Sequence, residues 1–61
     1  MFAIQPKSFG EFDDHGCEFV NNLDAARDIA FDWSADEAGA PMIIWKLTSG
    51  KAIRWMEVFA W

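Results

Sequence analysis

The clearest pattern along the chain is a helical one in its middle third. Asn21 has the side chain of an N-cap residue, and Gly39 followed by Pro41 is typical of a helix end. Between them, apolar residues recur at spacings of three and four and so share one face of a helix: Leu23, Ala26, Ile29 and Trp33. The pattern predicts a helix over residues 22–37 with this stripe facing the core.

Two apolar segments after the helix predict a β-hairpin. Residues 42–47 and 52–59 flank a turn, and a two-residue loop at Ser49-Gly50 would fix the register of the two strands. The predicted cross-strand pairs are Leu47–Ala52, Trp45–Arg54, Ile43–Met56 and Ile44–Trp55. The Trp45–Arg54 pair predicts a cation–π contact across the hairpin.

The first twenty residues predict further short strands. Residues 2–5 have the composition of a strand, and residues 9–12 and 17–20 flank a turn-like tetrad, Asp13-Asp14-His15-Gly16, which predicts a second hairpin. Strands, one helix and a closing hairpin together indicate a two-layer α+β fold, with residues 1–61 as one small domain.

The predicted C-terminal hairpin is apolar on both faces, whereas one helix can cover only one of them. The second face can be covered by the N-terminal segment, with Phe2, Phe9, Phe12 and Phe19 as the filling. This face can also serve as the interface of a homodimer or bind a foreign partner, because exposed apolar patches mark binding sites. For both intermolecular cases we expect an aromatic interface formed by Trp55, Phe59, Trp61, Ile44 and Ile53.

Composition narrows the class of protein. A chain of 61 residues that is 52% hydrophobic, with four Trp and six Phe, has enough apolar surface to fold. Domains of this size usually need a disulfide, a metal or a second copy for stability, and one cysteine cannot form an internal disulfide. There is no apolar run near the roughly 20 residues of a membrane span and no signal-like segment. A lone cysteine fits a reducing compartment, so we expect a cytoplasmic location.

The net charge of −5 is distributed unevenly. Residues 11–37 contain nine carboxylates and Arg27 alone as a cation, for a net charge of −8, whereas residues 38–61 have a net charge of +2. An acidic block of this kind repels phosphate backbones and attracts basic surfaces. The expected partner is therefore a basic protein surface, and neither a nucleic acid nor a membrane.

Four aspartates of the predicted helix are each four residues apart and form one row: Asp24, Asp28, Asp32 and Asp36. Like charges at this spacing destabilise a helix, and aspartate is a poor helix former. The row is either a solvated face or a ladder that engages a basic groove. Its axial spacing of about 6 Å resembles that of successive phosphates, so it could mimic a nucleic-acid strand. The predicted partner-binding acidic face comprises the row together with Asp13 and Asp14.

His15 and Cys17 are the remaining candidates for chemistry. Their spacing does not match a structural zinc site, and the chain has no second Cys or His to complete one. We expect no catalytic residue, no cofactor and no metal site, and hence no enzyme. A metal-binding or catalytic protein built around His15 and Cys17 stays open as the third reading.

The order of the predicted elements is also similar to that of a known group of small proteins. The stretches at residues 18–26, 41–45 and 55–60 give a strand, a capped helix and a hairpin in a short acidic chain. In size, acidity and layout the chain resembles small proteins of phages and mobile elements, anti-CRISPR inhibitors among them. This resemblance implies a non-enzymatic inhibitor of a nucleic-acid-binding effector in the host cytoplasm. The alternative is a small homo-oligomeric structural module whose acidic helix keeps it soluble.

Overall fold

One α-helix packs on one face of a four-stranded antiparallel sheet, as the sequence pattern predicts. The computed structural model describes all residues, 1–61. Its elements are β1 (Phe2–Pro6), β2 (Glu18–Val20), α1 (Leu23–Asp36), β3 (Met42–Thr48) and β4 (Lys51–Val58), with a 3-10 turn at Lys7–Phe9. The strand order is β2-β1-β3-β4, so β2 and β4 are the edges. The predicted α+β class, single helix and C-terminal hairpin are confirmed.

Helix α1 and its N-cap each begin one residue later than predicted. The N-cap is Asn22 and not Asn21: the Asn22 Oδ1 atom accepts a hydrogen bond from the Ala25 N–H at 2.8 Å. At the other end Gly39 has a φ of 87°, a left-handed conformation that glycine tolerates, and its N–H donates to the Ser34 carbonyl at 2.7 Å. With 14 residues and several charges, α1 is neither long nor apolar enough to cross a membrane.

The helix-side core lies between α1 and the sheet. Ala26 and Ala30 are fully buried against Ile4, Met42 and Ile44, and their small side chains let the helix backbone approach the strands closely. The other members of the predicted stripe pack around this centre while partly exposed: Leu23, Ile29 and Trp33. The predicted buried face of the helix is therefore confirmed.

The opposite face of the sheet is covered by the chain itself. Phe12 and Cys17, from the loop between β1 and β2, pack on Ala3, Ile43 and Trp45. The ring centroids of Phe12 and Trp45 are 5.7 Å apart. The N-terminal segment thus provides the covering that the sequence left open. Of the four phenylalanines expected there, Phe12 alone packs on this centre, since Phe2 joins the helix-side core and Phe9 and Phe19 are exposed.

The prediction that residues 9–12 form the first strand of an N-terminal hairpin is wrong. Strand β2 pairs with β1, with Ala3 opposite Phe19, and residues 9–12 form no strand. The reason is a buried polar side chain on β1. The Gln5 Nε2 atom donates to the Glu11 carbonyl at 2.8 Å, and its Oε1 atom accepts from the Asp13 N–H at 2.9 Å. These bonds use backbone groups of the loop, which lies across the sheet instead of extending along it.

The register of the C-terminal hairpin changes part of the way along its strands. The predicted pairs Leu47–Ala52 and Trp45–Arg54 are present. Beyond them Trp55 is an extra residue in β4, so Ile44 lies opposite Met56 instead of Trp55. This irregularity is a β-bulge, which reverses the facing of every later residue of the strand.

The bulge places apolar and charged residues of β4 on the faces that suit them. Met56 and Val58 pack with the helix-side core. Glu57, opposite Ile43, lies on the other face, where its carboxylate is 3.3 Å from the Lys7 Nζ atom. An unbroken register would put Glu57 under the helix, where a buried charge costs free energy. The predicted Trp45–Arg54 cation–π contact is absent, and Lys46 instead lies over the Trp55 ring at 4.6 Å.

Candidate functional site

The four aspartates of the predicted row occupy the side of α1 that faces away from the sheet. All four side chains are exposed, whereas Ala26, Ala30 and Ser34 on the opposite side of the helix are buried. At a rise of about 1.5 Å per residue the row extends over about 18 Å of the helix. The carboxylates of the predicted row therefore form one linear array on the exposed side of the helix: Asp24, Asp28, Asp32 and Asp36.

None of these carboxylates has a partner within the chain. The ion pairs of the protein join Glu57 to Lys7 and Arg54, at 3.3 and 4.0 Å, and the His15 Nδ1 atom lies 3.0 Å from the Asp14 carboxylate. Arg27, the single cation of the helix, is exposed and forms no ion pair. A cation from another molecule can therefore approach the row without breaking an internal salt bridge.

The Asp13–Asp14 turn lies on the far side of the sheet from α1. Its loop packs through Phe12 and Cys17 on the face opposite the helix. The turn itself is held by the Asp13 Oδ1 atom, which accepts from the His15 N–H at 3.0 Å. The expected acidic face is therefore divided in two, and a flat partner surface that contacts the helix row does not also contact this turn.

The same turn brings together the residues considered for metal binding. Ligand atoms of Asp13, Asp14 and His15 lie within 4.8 Å of one another, and all three side chains are exposed. Cys17 is outside this group. Burial raises the pKa of the Cys17 thiol above its ordinary value, and the carboxylates of Asp13, Asp14 and Glu18 raise it further. The thiol is therefore held in its protonated form at neutral pH, which disfavours both metal ligation and nucleophilic attack.

The expected aromatic interface is only partly available. Ile53 and Trp55 on the edge strand β4 are about half exposed, and Phe59 and Trp61 in the C-terminal segment are exposed as well. Ile44 is fully buried beneath α1, so its assignment to a partner interface is wrong. The reason is the tertiary packing: β3 is an inner strand, and the helix covers this face of it.

The C-terminal segment is fastened to the helix by a buried serine. The Ser34 Oγ atom accepts a hydrogen bond from the Ala60 N–H at 2.8 Å. The Trp61 ring lies directly against Gly39, where a Cβ atom would be only 3.0 Å from the indole nitrogen. These contacts hold Phe59 at a defined place beside α1.

Phe31 is a surface residue that the sequence pattern does not single out. This side chain is on α1, between the aspartates and β4, and 51% of its surface is exposed. Together with Met56, Val58 and Phe59 it lines a groove between α1 and β4 whose edge includes Asp24. The signal in the sequence was an aromatic residue three positions after Asp28, outside the predicted buried stripe.

No protein-family model, curated protein or solved structure matches the chain. The surface itself offers two features to a partner. Unpaired carboxylates on one helix can exchange bound water for the ammonium or guanidinium groups of another protein. Exposed aromatic side chains beside that helix can add apolar contact area to the same interface.

Proposed function

We propose that this protein is a non-enzymatic interaction module that binds a basic protein surface through the acidic row of α1. The observation that supports this is the row itself: four exposed aspartates at helical spacing, none of them paired within the chain. The arrangement lowers helix stability through charge repulsion and low helix propensity. A solubilising surface could be made from glutamates at a smaller cost, so a partner gives a reason for the aspartates.

The specific form of the proposal is an inhibitor of a nucleic-acid-binding effector, of the kind phages encode, acting in the cytoplasm of the host cell. The resemblance to small acidic phage proteins supports this form. So does the row's spacing, because carboxylates about 6 Å apart can occupy a groove that normally receives phosphates. Binding should then be fast and sensitive to salt, since charged rims mainly accelerate association.

The first experiment compares capture of basic proteins by immobilised wild type and by Asp28→Asn/Asp32→Asn. Nuclease-treated bacterial lysate is passed over both at low and high salt, and bound proteins are identified by mass spectrometry. The matched control is Glu11→Gln/Glu18→Gln, which removes the same charge from exposed positions outside the helix. We expect wild type and control to retain basic nucleic-acid-binding proteins at low salt, and the helix variant to lose them. Equal retention by all three proteins would exclude the acidic row as the binding site.

A competition experiment then tests phosphate mimicry separately from binding. The captured partner is mixed with labelled nucleic acid, and wild-type protein is titrated in while the bound fraction is followed by fluorescence anisotropy. Mimicry predicts complete displacement at saturation. A ternary complex of partner, nucleic acid and this protein would reject mimicry and leave the interaction itself standing.

The alternative function is a homo-oligomeric structural module. Its supporting observation is the edge strand β4, whose exposed Ile53 and Trp55 adjoin unpaired backbone groups that a second copy could extend. Sedimentation velocity distinguishes the two functions. A dimer that persists at high salt and dissociates in the Ile53→Lys variant favours the module, whereas a monomer under all conditions favours the partner-binding protein.

A further inference from the structure

We infer that the groove between α1 and β4 binds a segment of the basic partner that carries a large apolar side chain next to lysine or arginine. This inference rests on the proposed function and specifies where, and by what chemistry, the partner is held. The groove has a volume of ≈ 730 Å³ and is open along one side. An open groove of this kind suits a peptide segment better than a small molecule, which usually binds in a cavity that encloses most of its surface.

The apolar part of the groove is formed from both layers of the fold. Phe31 comes from α1, Met56 and Val58 come from β4, and Phe59 follows that strand. Phe31 and Phe59 are 51% and 54% exposed, although both belong to well-fixed parts of the backbone. Phe31 lies in the middle of a capped helix, and Phe59 precedes the Ala60 N–H that is bonded to Ser34. Two half-exposed aromatic side chains on such backbone positions are the kind of anchor that dominates protein interfaces.

The charged part of the groove selects the sign of the partner. Asp24, Asp28 and Glu57 line it together with Arg27, which leaves an excess of negative charge. Lys7 and Arg54 already pair with Glu57, whereas Asp24 and Asp28 have no internal partner. The groove and the acidic row share these two aspartates. A segment whose apolar side chain lies on Phe31 and Phe59 would therefore bring its flanking cations onto the row.

Charge also argues against the other occupants. Nucleic acids and anionic lipid surfaces carry phosphates, which the aspartates repel. A second copy has the same net charge of −5, which opposes association, and two of the three cations of its hairpin are already engaged: Lys46 lies over Trp55 and Arg54 pairs with Glu57. The occupant is therefore a basic segment of a different protein.

The test uses two synthetic probes and one matched control variant. The first probe is a short fluorescein-labelled peptide of lysine and leucine, and the second has every leucine replaced by glutamine. Each is titrated with wild type and with Phe31→Ala, Phe59→Ala and Phe9→Ala, and anisotropy is recorded. Phe9 is 49% exposed, nearly the same as Phe31, but it lies in the 3-10 turn outside the groove. Circular dichroism confirms that each variant is folded.

The lysine–leucine probe should bind wild type and Phe9→Ala equally, and Phe31→Ala and Phe59→Ala at least about fivefold more weakly. The lysine–glutamine probe should bind all four proteins alike. Equal binding of the lysine–leucine probe to Phe31→Ala and Phe9→Ala would overturn the groove. Self-association of wild type that Phe31→Ala abolishes would overturn it too, because the occupant would then be a second copy.

The Asp28→Asn/Asp32→Asn variant distinguishes failure of the groove as the binding site from failure of the proposed function. If it weakens both probes while the phenylalanine variants weaken neither, the acidic row binds cations and the groove is wrong. If neither the aspartate nor the phenylalanine substitutions matter, the proposed function fails together with the groove.

Discussion

Gln5 is a buried polar side chain in the centre of the sheet, and its two hydrogen bonds determine the path of the following loop. It is fully buried on the same face as Ala3, and its amide bonds the Glu11 carbonyl and the Asp13 N–H. Both groups belong to a loop that otherwise packs through Phe12 and Cys17. A single side chain thus satisfies the backbone of the segment that covers the second face.

Gln5→Ala should therefore open the loop as well as destabilise the fold. Leaving two backbone groups without partners should lower the free energy of unfolding by about 2 kcal/mol, measured by urea titration. The Cys17 thiol should at the same time react faster with Ellman's reagent, because opening removes the burial that raises its pKa. Ser8→Ala, an exposed substitution in the same segment, serves as the control. Unchanged thiol reactivity in Gln5→Ala would show that the loop is held by other contacts.

At the scale of elements, the bulge in β4 decides which residues lie under the helix. Without Trp55 the strand would pair regularly, because Arg54 already lies opposite Trp45 and Met56 opposite Ile44. The extra residue leaves both pairs in place and puts Trp55 where Lys46 covers its ring. The bulge also disturbs the free edge of the sheet, as such irregularities do in natural edge strands.

Deletion of Trp55 should consequently be tolerated, and deletion of Glu57 should not. Removing Trp55 keeps the cross-strand pairs and loses one cation–π contact, so stability should change by about 1 kcal/mol or less. Removing Glu57 would turn Val58 away from the helix-side core and eliminate the Lys7 ion pair. Thermal unfolding followed by circular dichroism compares the two deletions. Equal loss of stability in both would mean that the bulge itself is required for folding.

At the scale of the whole molecule, charge is segregated between the two layers. The exposed face of α1 carries the aspartate row, whereas the hairpin carries Lys46, Lys51 and Arg54. The pairs that form inside the protein connect Glu57 to cations and leave the helix row out. Apart from Asp24, which lies in the first turn where the helix dipole favours a negative charge, the row adds repulsion to the folded state without a compensating ion pair.

Neutralising the row should thus stabilise the protein while it removes binding. Asp28→Asn/Asp32→Asn eliminates every neighbouring carboxylate pair of the row, each of which costs about 0.2–0.5 kcal/mol. Urea unfolding at low salt should show a higher free energy of unfolding than wild type. The difference should shrink at 1 M salt, where the Debye length is about 3 Å. A variant less stable than wild type would indicate a structural role for the row. Glu11→Gln/Glu18→Gln controls for net charge.

Features that depend on neighbours along the chain were predictable from the amino-acid sequence alone. Helical periodicity located α1 and its buried stripe, and the loop at Ser49-Gly50 fixed the register of the adjacent part of the hairpin. The same periodicity placed the aspartates on the exposed side of the helix. Such features follow from local geometry, since side chains three or four apart on a helix share a face whatever surrounds them.

Features that join distant segments became apparent only in the folded chain. Gln5 holds a loop, Trp55 forms a bulge and Ile44 is covered by α1. Phe31 and Phe59 line one groove because Ser34 fastens the C-terminal segment to the helix. The spacing of residues along the chain does not predict these long-range features. They arise because each buried polar group needs a partner and each apolar face needs a cover, and the folded chain supplies both from remote positions.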